Sequence, residues 1–134
     1  ETQDGRYFSV GSLEPQFMAG LATALELPLL LAKGTSFDPE DRQTVKQALQ
    51  EKFKSQDFVV WQQLFKTLDI CVEPVLSLDE ALVSPIAEQR GWVVDVPLSE
   101  NSEQTEAQLA CPIKFSRSQI KYAFIGQGLG EGKW

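Results

Sequence analysis

The sequence predicts an α+β domain in which a small antiparallel sheet packs against about four helices. Strand-like segments lie near both ends of the chain, and the segments between them carry apolar residues at helical spacing. The 134 residues, of which 43% are hydrophobic, are enough to bury one compact core. We therefore expect one domain over residues 1–125, followed by a glycine-rich tail over residues 126–134.

The first strand and the first helix are marked by turn residues. An Asp-Gly pair at positions 4 and 5 predicts a turn, after which residues 6–10 predict a strand. Pro15 is of a type favoured at the first position of a helix, so a sharp strand-to-helix turn should place Glu14 at or beside the N-cap. Apolar residues continue at helical spacing and predict that this helix ends near Pro28.

Three further helices have recognisable starts. Asp38 is followed by a proline and predicts the cap of a second helix, and Asp57 predicts the cap of a third. Ser77 and Glu80 have the spacing of a capping box, which opens a short helix that should end before Pro85. The apolar stripe of the second helix contains Val45, Ala48, Leu49 and Phe53.

Three later segments are typical of extended structure. Residues 71–76 are interrupted by Pro74, which favours an edge strand or a buried connection. Residues 92–96 and 109–115 have strand composition, and the acidic stretch 99–106 lies between them. This order predicts a long hairpin with an exposed polar loop.

Composition narrows the possible partners. The net charge of −7 opposes binding to nucleic acid or to an anionic membrane, and the apolar run 27–32 is far too short to span a bilayer. There is no histidine and no closely spaced cysteine pair, so we expect no metal site. For Cys71 and Cys111 we expect free thiols in a cytoplasmic protein, with a disulfide as the alternative.

Two basic or glycine-rich features have an ordinary explanation. The alternate glycines of residues 126–132 are followed by no helix, so we expect a flexible tail rather than a phosphate-binding loop. Lys52, Lys54 and Lys66 lie on amphipathic helices, and we interpret them as solvated side chains rather than as a phosphate patch. The chain does not begin with methionine, and we expect it to be part of a longer polypeptide.

Three segments, in this order and spacing, carry a family resemblance. They are residues 4–17 (Asp-Gly-Arg-Tyr-Phe-Ser-Val-Gly-Ser-Leu-Glu-Pro-Gln-Phe), residues 69–82, and the tripeptide Phe-Ser-Arg at residues 115–117. Together they resemble the small domain of the alpha-methylacyl-CoA racemases, which are related to the family III CoA transferases. The chain departs from the family at residues 84–86 and 130–133, where relatives often carry histidines.

The resemblance implies a homodimer of the full-length parent, with an active site formed where the large domain of one subunit meets the small domain of the other. In the racemases, an aspartate and a histidine of the large domain exchange the α-proton of a 2-methylacyl-CoA thioester. A glutamate of the small domain holds that histidine, and Glu14 matches this glutamate. Coenzyme A enters as part of the acyl-CoA substrate, no bound cofactor is expected, and the fragment alone should be inactive.

Other interpretations of these residues stay open. From the residues alone, Glu14 can also be a capping or solvated carboxylate. Leu13 and Met18 flank it and are candidates for lining an acyl-binding surface. The parent can also be a CoA transferase that works through an acyl-aspartate, although a glutamate before the Pro-Gln pair favours a racemase. A third possibility is a non-catalytic interaction module that shares only ancestry with these enzymes.

Overall fold

A computed structural model gives the fold and describes residues 1–126. Within these residues there are six helices and two separate antiparallel sheets of two strands each, which confirms the predicted α+β class. The chain divides into two compact units, Glu1–Val75 (unit 1) and Leu76–Trp134 (unit 2). Apart from its first residue, the predicted glycine-rich tail lies outside the described residues, and the predicted limits of the domain stay a prediction.

Unit 1 contains four helices that lie, in sequence, between the two strands of one antiparallel ribbon. Its elements are β1 (Phe8–Val10), α1 (Pro15–Ala24), α2 (Leu29–Lys33), α3 (Pro39–Phe53), α4 (Phe58–Phe65) and β2 (Val72–Pro74). The strands pair antiparallel, with Phe8 opposite Pro74 and Val10 opposite Val72. The pairing brings the two ends of unit 1 together, so residues around position 11 lie beside residues around position 71.

The helix starts confirm most of the predicted caps. The carboxylate of Asp38 accepts hydrogen bonds from the backbone N–H groups of Glu40 and Asp41 at the start of α3. Ser77 and Glu80 form the predicted capping box at the start of the first helix of unit 2. Asp57 occupies the N-cap position of α4, but its side chain makes no capping hydrogen bond, so that part of the prediction is wrong.

Helix α1 ends at Ala24, earlier than the predicted end near Pro28. Glu26 adopts a left-handed backbone conformation with φ of 54°. The N–H of Leu27 then donates to the carbonyl of Ala22 at 2.9 Å, and the N–H of Glu26 donates to the carbonyl of Thr23 at 3.2 Å. These two bonds form a Schellman motif, which closes the helix and allows α2 to begin after the proline.

The core of unit 1 is formed by the apolar faces of its helices, which pack together with residues of the ribbon. Leu21 and Leu25 have no exposed surface, and the rings of Trp61 and Phe65 stack with centroids 5.7 Å apart. The indole N–H of Trp61 donates to the carbonyl of Phe53 at 2.9 Å, so the buried polar atom of the indole is satisfied. The buried cluster consists of Met18, Leu21, Ala22, Leu25, Leu30, Phe53, Trp61, Phe65, Ile70 and Val72.

The described part of unit 2, residues 76–126, contains two short helices and a hairpin. Its elements are α5 (Leu78–Leu82), α6 (Pro85–Arg90), β3 (Val93–Pro97) and β4 (Thr105–Leu109). Helix α6 was not predicted. It begins at Pro85, is capped by the Ser84 hydroxyl, and ends at Arg90. Gly91 follows it with a φ of 59°, a conformation that suits glycine. The two unpredicted helices, α2 and α6, raise the number of helices from about four to six among residues 1–126.

The hairpin is confirmed, but its second strand lies earlier than predicted. Val93 pairs with Leu109 and Pro97 pairs with Thr105, so part of the predicted acidic loop is strand. Residues 110–115 contain no strand. Residues 110–115 include Pro112, which cannot donate a backbone hydrogen bond to a neighbouring strand. The polar residues of β4 can form a strand because that strand is mostly exposed.

Candidate functional site

The turn that carries Glu14 is hydrogen-bonded to residues near the C-terminal end of unit 1 in the sequence. Ser12 is 1% exposed, and its hydroxyl donates a hydrogen bond to the carbonyl of Ile70. The backbone N–H of Gly11 donates to the carbonyl of Cys71 at 2.8 Å. Residues 11–15, which we call the Glu14 turn, are therefore held in place by two bonds to residues far away in the sequence.

Glu14 is the N-cap residue of α1, as predicted from Pro15 at the next position. Its backbone is extended, with φ of −76° and ψ of 145°, and its side chain makes no capping hydrogen bond. The side chain is exposed and forms no hydrogen bond or ion pair within residues 1–126. The free N–H groups of the first helical turn and the helix dipole favour a negative charge here. The interpretation of Glu14 as a capping side chain is thus not supported, and its carboxylate is free to meet an outside partner.

The thiol of Cys71 interacts electrostatically with the carboxylate of Glu14. Local burial raises the pKa of the Cys71 thiol, and the carboxylates of Glu14, Asp69 and Glu73 raise it further. The residue as a whole is exposed, so this burial is only partial. A thiol with a raised pKa stays protonated near neutral pH and is a weak nucleophile. Among the described residues of this region, the carboxylate of Glu14 is therefore the better candidate for chemistry.

The two residues predicted to flank Glu14 at an acyl-binding surface lie in different environments. Leu13 is 78% exposed, directly beside Glu14. Met18 is buried in the core of unit 1, and its sulfur lies in the space that a side chain at Gly34 would fill. The structure does not bring Met18 to the surface with Leu13. A substrate-binding role for either residue stays a prediction, and burial does not favour the role of Met18.

A cleft of about 700 Å³ opens beside Cys71, between α4 and β2. Gln62, Lys66 and Asp69 give it polar walls, and Phe8 and Leu68 give it apolar ones. Glu14 does not line this cleft. The cleft is large enough for a small molecule, but its lining does not concentrate one kind of charge.

The lysines that resemble a phosphate patch in the sequence do not form one together. The ammonium of Lys54 pairs with the carboxylate of Glu1 at 2.9 Å, and that of Lys52 lies 3.9 Å from the carboxylate of Glu26. Lys66 lines the cleft beside Cys71. In the part of the chain that the structure describes, no group of acidic and cysteine side chains is arranged to hold a metal ion. None of the helices described is long and apolar enough to cross a membrane.

A second set of cations was not predicted from the sequence. Lys33, Arg42 and Lys46 line one groove of about 370 Å³ on unit 1. The signal was present, because Arg42 and Lys46 are four residues apart on a helix whose apolar residues Val45 and Leu49 have the same spacing. Residues four apart share a helix face, so charge and apolar surface had to lie side by side.

Comparisons with known proteins agree in one family. The model of CoA-transferase family III matches residues 1–126. The alpha-methylacyl-CoA racemase of Mus musculus is 38% identical over 85 residues, which cover 61% of this chain and 21% of that protein. The alpha-methylacyl-CoA racemase of Homo sapiens is 34% identical over 93 residues, which cover 67% of this chain and 23% of that protein. The chain thus spans about a fifth of the length of these curated relatives.

Solved structures show the same fold at low sequence identity. A mutant of Rv3272 from Mycobacterium tuberculosis matches 92% of this chain and 34% of its own, with a TM-score of 0.70 and 14% identity. An orthorhombic crystal form of Rv3272 matches 87% of this chain and 33% of its own, with a TM-score of 0.65 and 14% identity. At this low identity, the matches support the fold of the chain and nothing about its function.

Proposed function

The chain belongs to CoA-transferase family III, and on that premise we propose that its full-length parent racemises 2-methylacyl-CoA thioesters. The curated relatives reported above are both alpha-methylacyl-CoA racemases. The observation that carries the proposal is the state of Glu14, which is exposed, fixed at a helix start and without a partner of its own. A carboxylate in that state is available to a group outside this chain's own fold.

The proposed reaction removes the α-proton from one face of the thioester and delivers a proton to the other. A base removes the α-proton of the thioester, the electron pair passes into the thioester carbonyl to give an enolate, and an acid returns a proton to the opposite face. By resemblance to the racemases, the acid/base pair is an aspartate and a histidine of the large domain. The part assigned to Glu14 is to accept a hydrogen bond from the imidazole of that histidine. This bond selects one tautomer and raises the pKa of the imidazole, which favours imidazolium as the proton donor.

The local structure supports this positioning role. Pro15 restricts the backbone at the start of α1, and Ser12 and Gly11 hold the preceding residues against Ile70 and Cys71. The backbone of Glu14 is therefore held in place before binding, and only the side-chain torsions of Glu14 have to be ordered when its carboxylate binds an imidazole. A second copy of the parent subunit as the source of that imidazole, a cytoplasmic location, and coenzyme A as part of the substrate all belong to this proposal.

The proposal is tested by the substitution Glu14→Gln in the full-length protein, with exchange of the α-proton into deuterated solvent as the measurement. We expect slower exchange, by a factor no larger than the 10² to 10⁴ or so that general acid/base catalysis typically contributes. We also expect the pH profile of exchange to move to lower pH, because the imidazolium loses a neighbouring negative charge. A merely structural role would lower the rate without moving the profile.

Glu100→Gln provides a matched control, since it removes an exposed carboxylate from the hairpin loop of unit 2. Exchange at the parental rate in the Glu14→Gln variant, with an unmoved pH profile, contradicts the proposed role. Exchange that falls equally in both variants points to a general loss of stability or charge instead.

A CoA transferase is the second candidate, and the family description favours it, because the matching model is that of CoA-transferase family III. Such an enzyme moves CoA from one carboxylic acid to another through an enzyme aspartate. The aspartate attacks the donor thioester to give a mixed anhydride and CoA thiolate, and the thiolate then attacks the aspartyl carbonyl, which releases the donor acid and leaves an aspartyl-CoA thioester. The acceptor carboxylate attacks this thioester to give a second mixed anhydride and CoA thiolate, and the thiolate takes the acceptor acyl group and frees the aspartate. Hydroxylamine traps an acyl-aspartate as the hydroxamate. Trapping in the full-length protein, without exchange of the α-proton, selects this reaction over racemisation.

A further inference from the structure

One groove on unit 1 combines an apolar floor with a positively charged rim. It lies along α3, beside β1 and the end of α2, and we call it the α3 groove. Its volume is about 370 Å³, within the range of about 300–1,000 Å³ typical of small-molecule sites. The residues that line it are Glu1, Phe8, Val10, Lys33, Gly34, Arg42, Val45, Lys46, Leu49, Gln50 and Phe53.

The charges at the rim are only partly neutralised. The ammonium of Lys33 pairs with the carboxylate of Asp41 at 2.8 Å, and the rim carboxylate of Glu1 pairs with the ammonium of Lys54. Arg42 and Lys46 are exposed and form no ion pair within residues 1–126. They lie one helical turn apart, where like charges repel each other.

This arrangement is unusual for the chain as a whole, whose net charge is −7. Two neighbouring cations without partners attract an anion, and an anion between them removes their mutual repulsion. Arginine presents a planar fork of donors that matches a carboxylate or phosphate, and the lysine adds a second charge. The rim of the α3 groove is therefore complementary to one anionic group.

The floor of the groove calls for an apolar group. Val45 and Leu49 lie one turn apart on the same face of α3 and are partly buried against the core. Val10 of β1 is 38% exposed, and Phe53 also lines the groove. Covering these side chains removes apolar surface from water, which favours a ligand with a hydrocarbon body.

We propose that the α3 groove binds a small amphipathic anion, with its hydrocarbon body on Val45 and Leu49 and its carboxylate or phosphate between Arg42 and Lys46. A fatty acid and an alkyl phosphate share this chemistry. No residue of the Glu14 turn lines the groove, so the inference stands independently of the racemase proposal. The small volume and the single pair of unpaired cations favour a small molecule over an acidic protein segment.

Isothermal titration of the 134-residue chain with dodecanoate tests the proposal, and dodecanol and inorganic phosphate serve as comparison ligands. Dodecanol has the hydrocarbon without the charge, and phosphate has the charge without the hydrocarbon. We expect binding of dodecanoate, and binding of dodecyl phosphate as the second source of the same chemistry. Dodecanol and phosphate should each bind roughly tenfold more weakly or not at all, since each lacks half of the interaction.

Nuclear magnetic resonance locates the site without any substitution. On titration with dodecanoate, the backbone amide signals of Val45, Leu49 and Gln50 should shift together with those of Val10. Shifts confined to other parts of the chain overturn the proposal. Shifts of the same signals with protein concentration alone also overturn it, because they place a second copy of the chain in the groove.

A charge-matched pair of variants completes the test. Arg42→Gln with Lys46→Gln removes both unpaired cations, whereas Lys52→Gln with Lys114→Gln removes two cations that do not line the groove. We expect the first pair to weaken dodecanoate binding by roughly tenfold or more and the second pair to leave it near the parental value. Equal weakening in both pairs, or tight binding of dodecanol, overturns the proposal.

Discussion

The carboxylate of Asp4 accepts a hydrogen bond from the backbone N–H of Phe58 at 3.0 Å, across 54 residues of sequence. This bond satisfies a free N–H at the start of α4, where the neighbouring Asp57 makes no capping bond. The Thr2 hydroxyl also donates to Asp4 and is itself almost completely buried. The N-terminal turn and α4 are therefore joined through one carboxylate.

Asp4→Asn should destabilise unit 1 in a pH-dependent way. The hydrogen bonds from Thr2 and Phe58 lower the pKa of the Asp4 carboxyl below its ordinary value of 3.8. Because the folded pKa is lower than the unfolded one, ionised Asp4 contributes stability that is fully present above about pH 4 and is lost as the pH falls through the folded pKa. Thermal unfolding followed by circular dichroism should show a lower midpoint for the variant at pH 7. The gap to the parent should narrow towards pH 3.

Asp57→Asn is the control for this experiment, because Asp57 lies beside the same helix start but makes no capping hydrogen bond. We expect a smaller change in the unfolding midpoint for this control. A gap for Asp4→Asn that stays constant from pH 7 to pH 3 contradicts the ionised carboxylate as the source of the stabilisation.

Gly20 in α1 is required by its contact with Ile70. A methyl group built at Gly20 lies 2.7 Å from the Cγ2 atom of Ile70, which is attached directly to the stiff Cβ of a residue that is 3% exposed. Replacing glycine by alanine inside a helix normally adds stability. Here overpacking outweighs that gain, and we expect Gly20→Ala to lower the free energy of unfolding by about 1–3 kcal/mol.

A double-mutant cycle in urea separates this contact from other effects. Ile70→Ala alone should cost about 2–5 kcal/mol, the usual range for a large-to-small change in a core. In the double variant the new methyl group occupies part of the space vacated by Ile70, so the two costs should sum to more than the observed loss. Strict additivity argues against the steric explanation.

Glu26→Gly should stabilise the chain. Glu26 occupies the left-handed position of the Schellman motif that ends α1, with φ of 54°. An L-residue other than glycine pays about 1 kcal/mol or more for this conformation, and the 3.9 Å contact of its carboxylate with Lys52 returns little. Glycine loses more chain entropy on folding, so we expect a net gain of roughly 0.5 kcal/mol in urea unfolding. No gain over Glu26→Ala contradicts the explanation by backbone strain.

Local signals were sufficient to predict several elements. Asp38 before a proline predicted the start of α3, and the Ser77–Glu80 pair predicted the start of α5, because both caps are complete within four residues. The same logic failed at Asp57, since the carboxylate that caps α4 comes from Asp4. It also failed for β4, whose exposed polar residues lack the alternation that marks a strand packed on a core.

For the candidate site too, some features could be predicted from local sequence and others could not. Pro15 was enough to place Glu14 at a helix start. The sequence could not show that its carboxylate makes no cap, nor that it lies near Cys71, because both depend on how the Glu14 turn meets residues 70 and 71. The cations Arg42 and Lys46 were readable from their spacing, but the groove beneath them requires β1, which is distant in sequence.

The thiol of Cys71 can report the charge of Glu14 in the isolated chain. The negative charge of Glu14 raises the pKa of this thiol, after local burial as the larger cause. Removing that charge should lower the pKa and increase the thiolate fraction. In a Cys111→Ser background, alkylation by iodoacetamide near pH 8 should therefore be faster for Glu14→Gln than for the parent, because the thiolate is the reactive form. Glu88→Gln, in unit 2, should leave the rate unchanged. Equal rates for Glu14→Gln and the parent would show that the Glu14 charge does not affect the Cys71 thiol. That result would contradict the electrostatic effect of Glu14 on its surroundings.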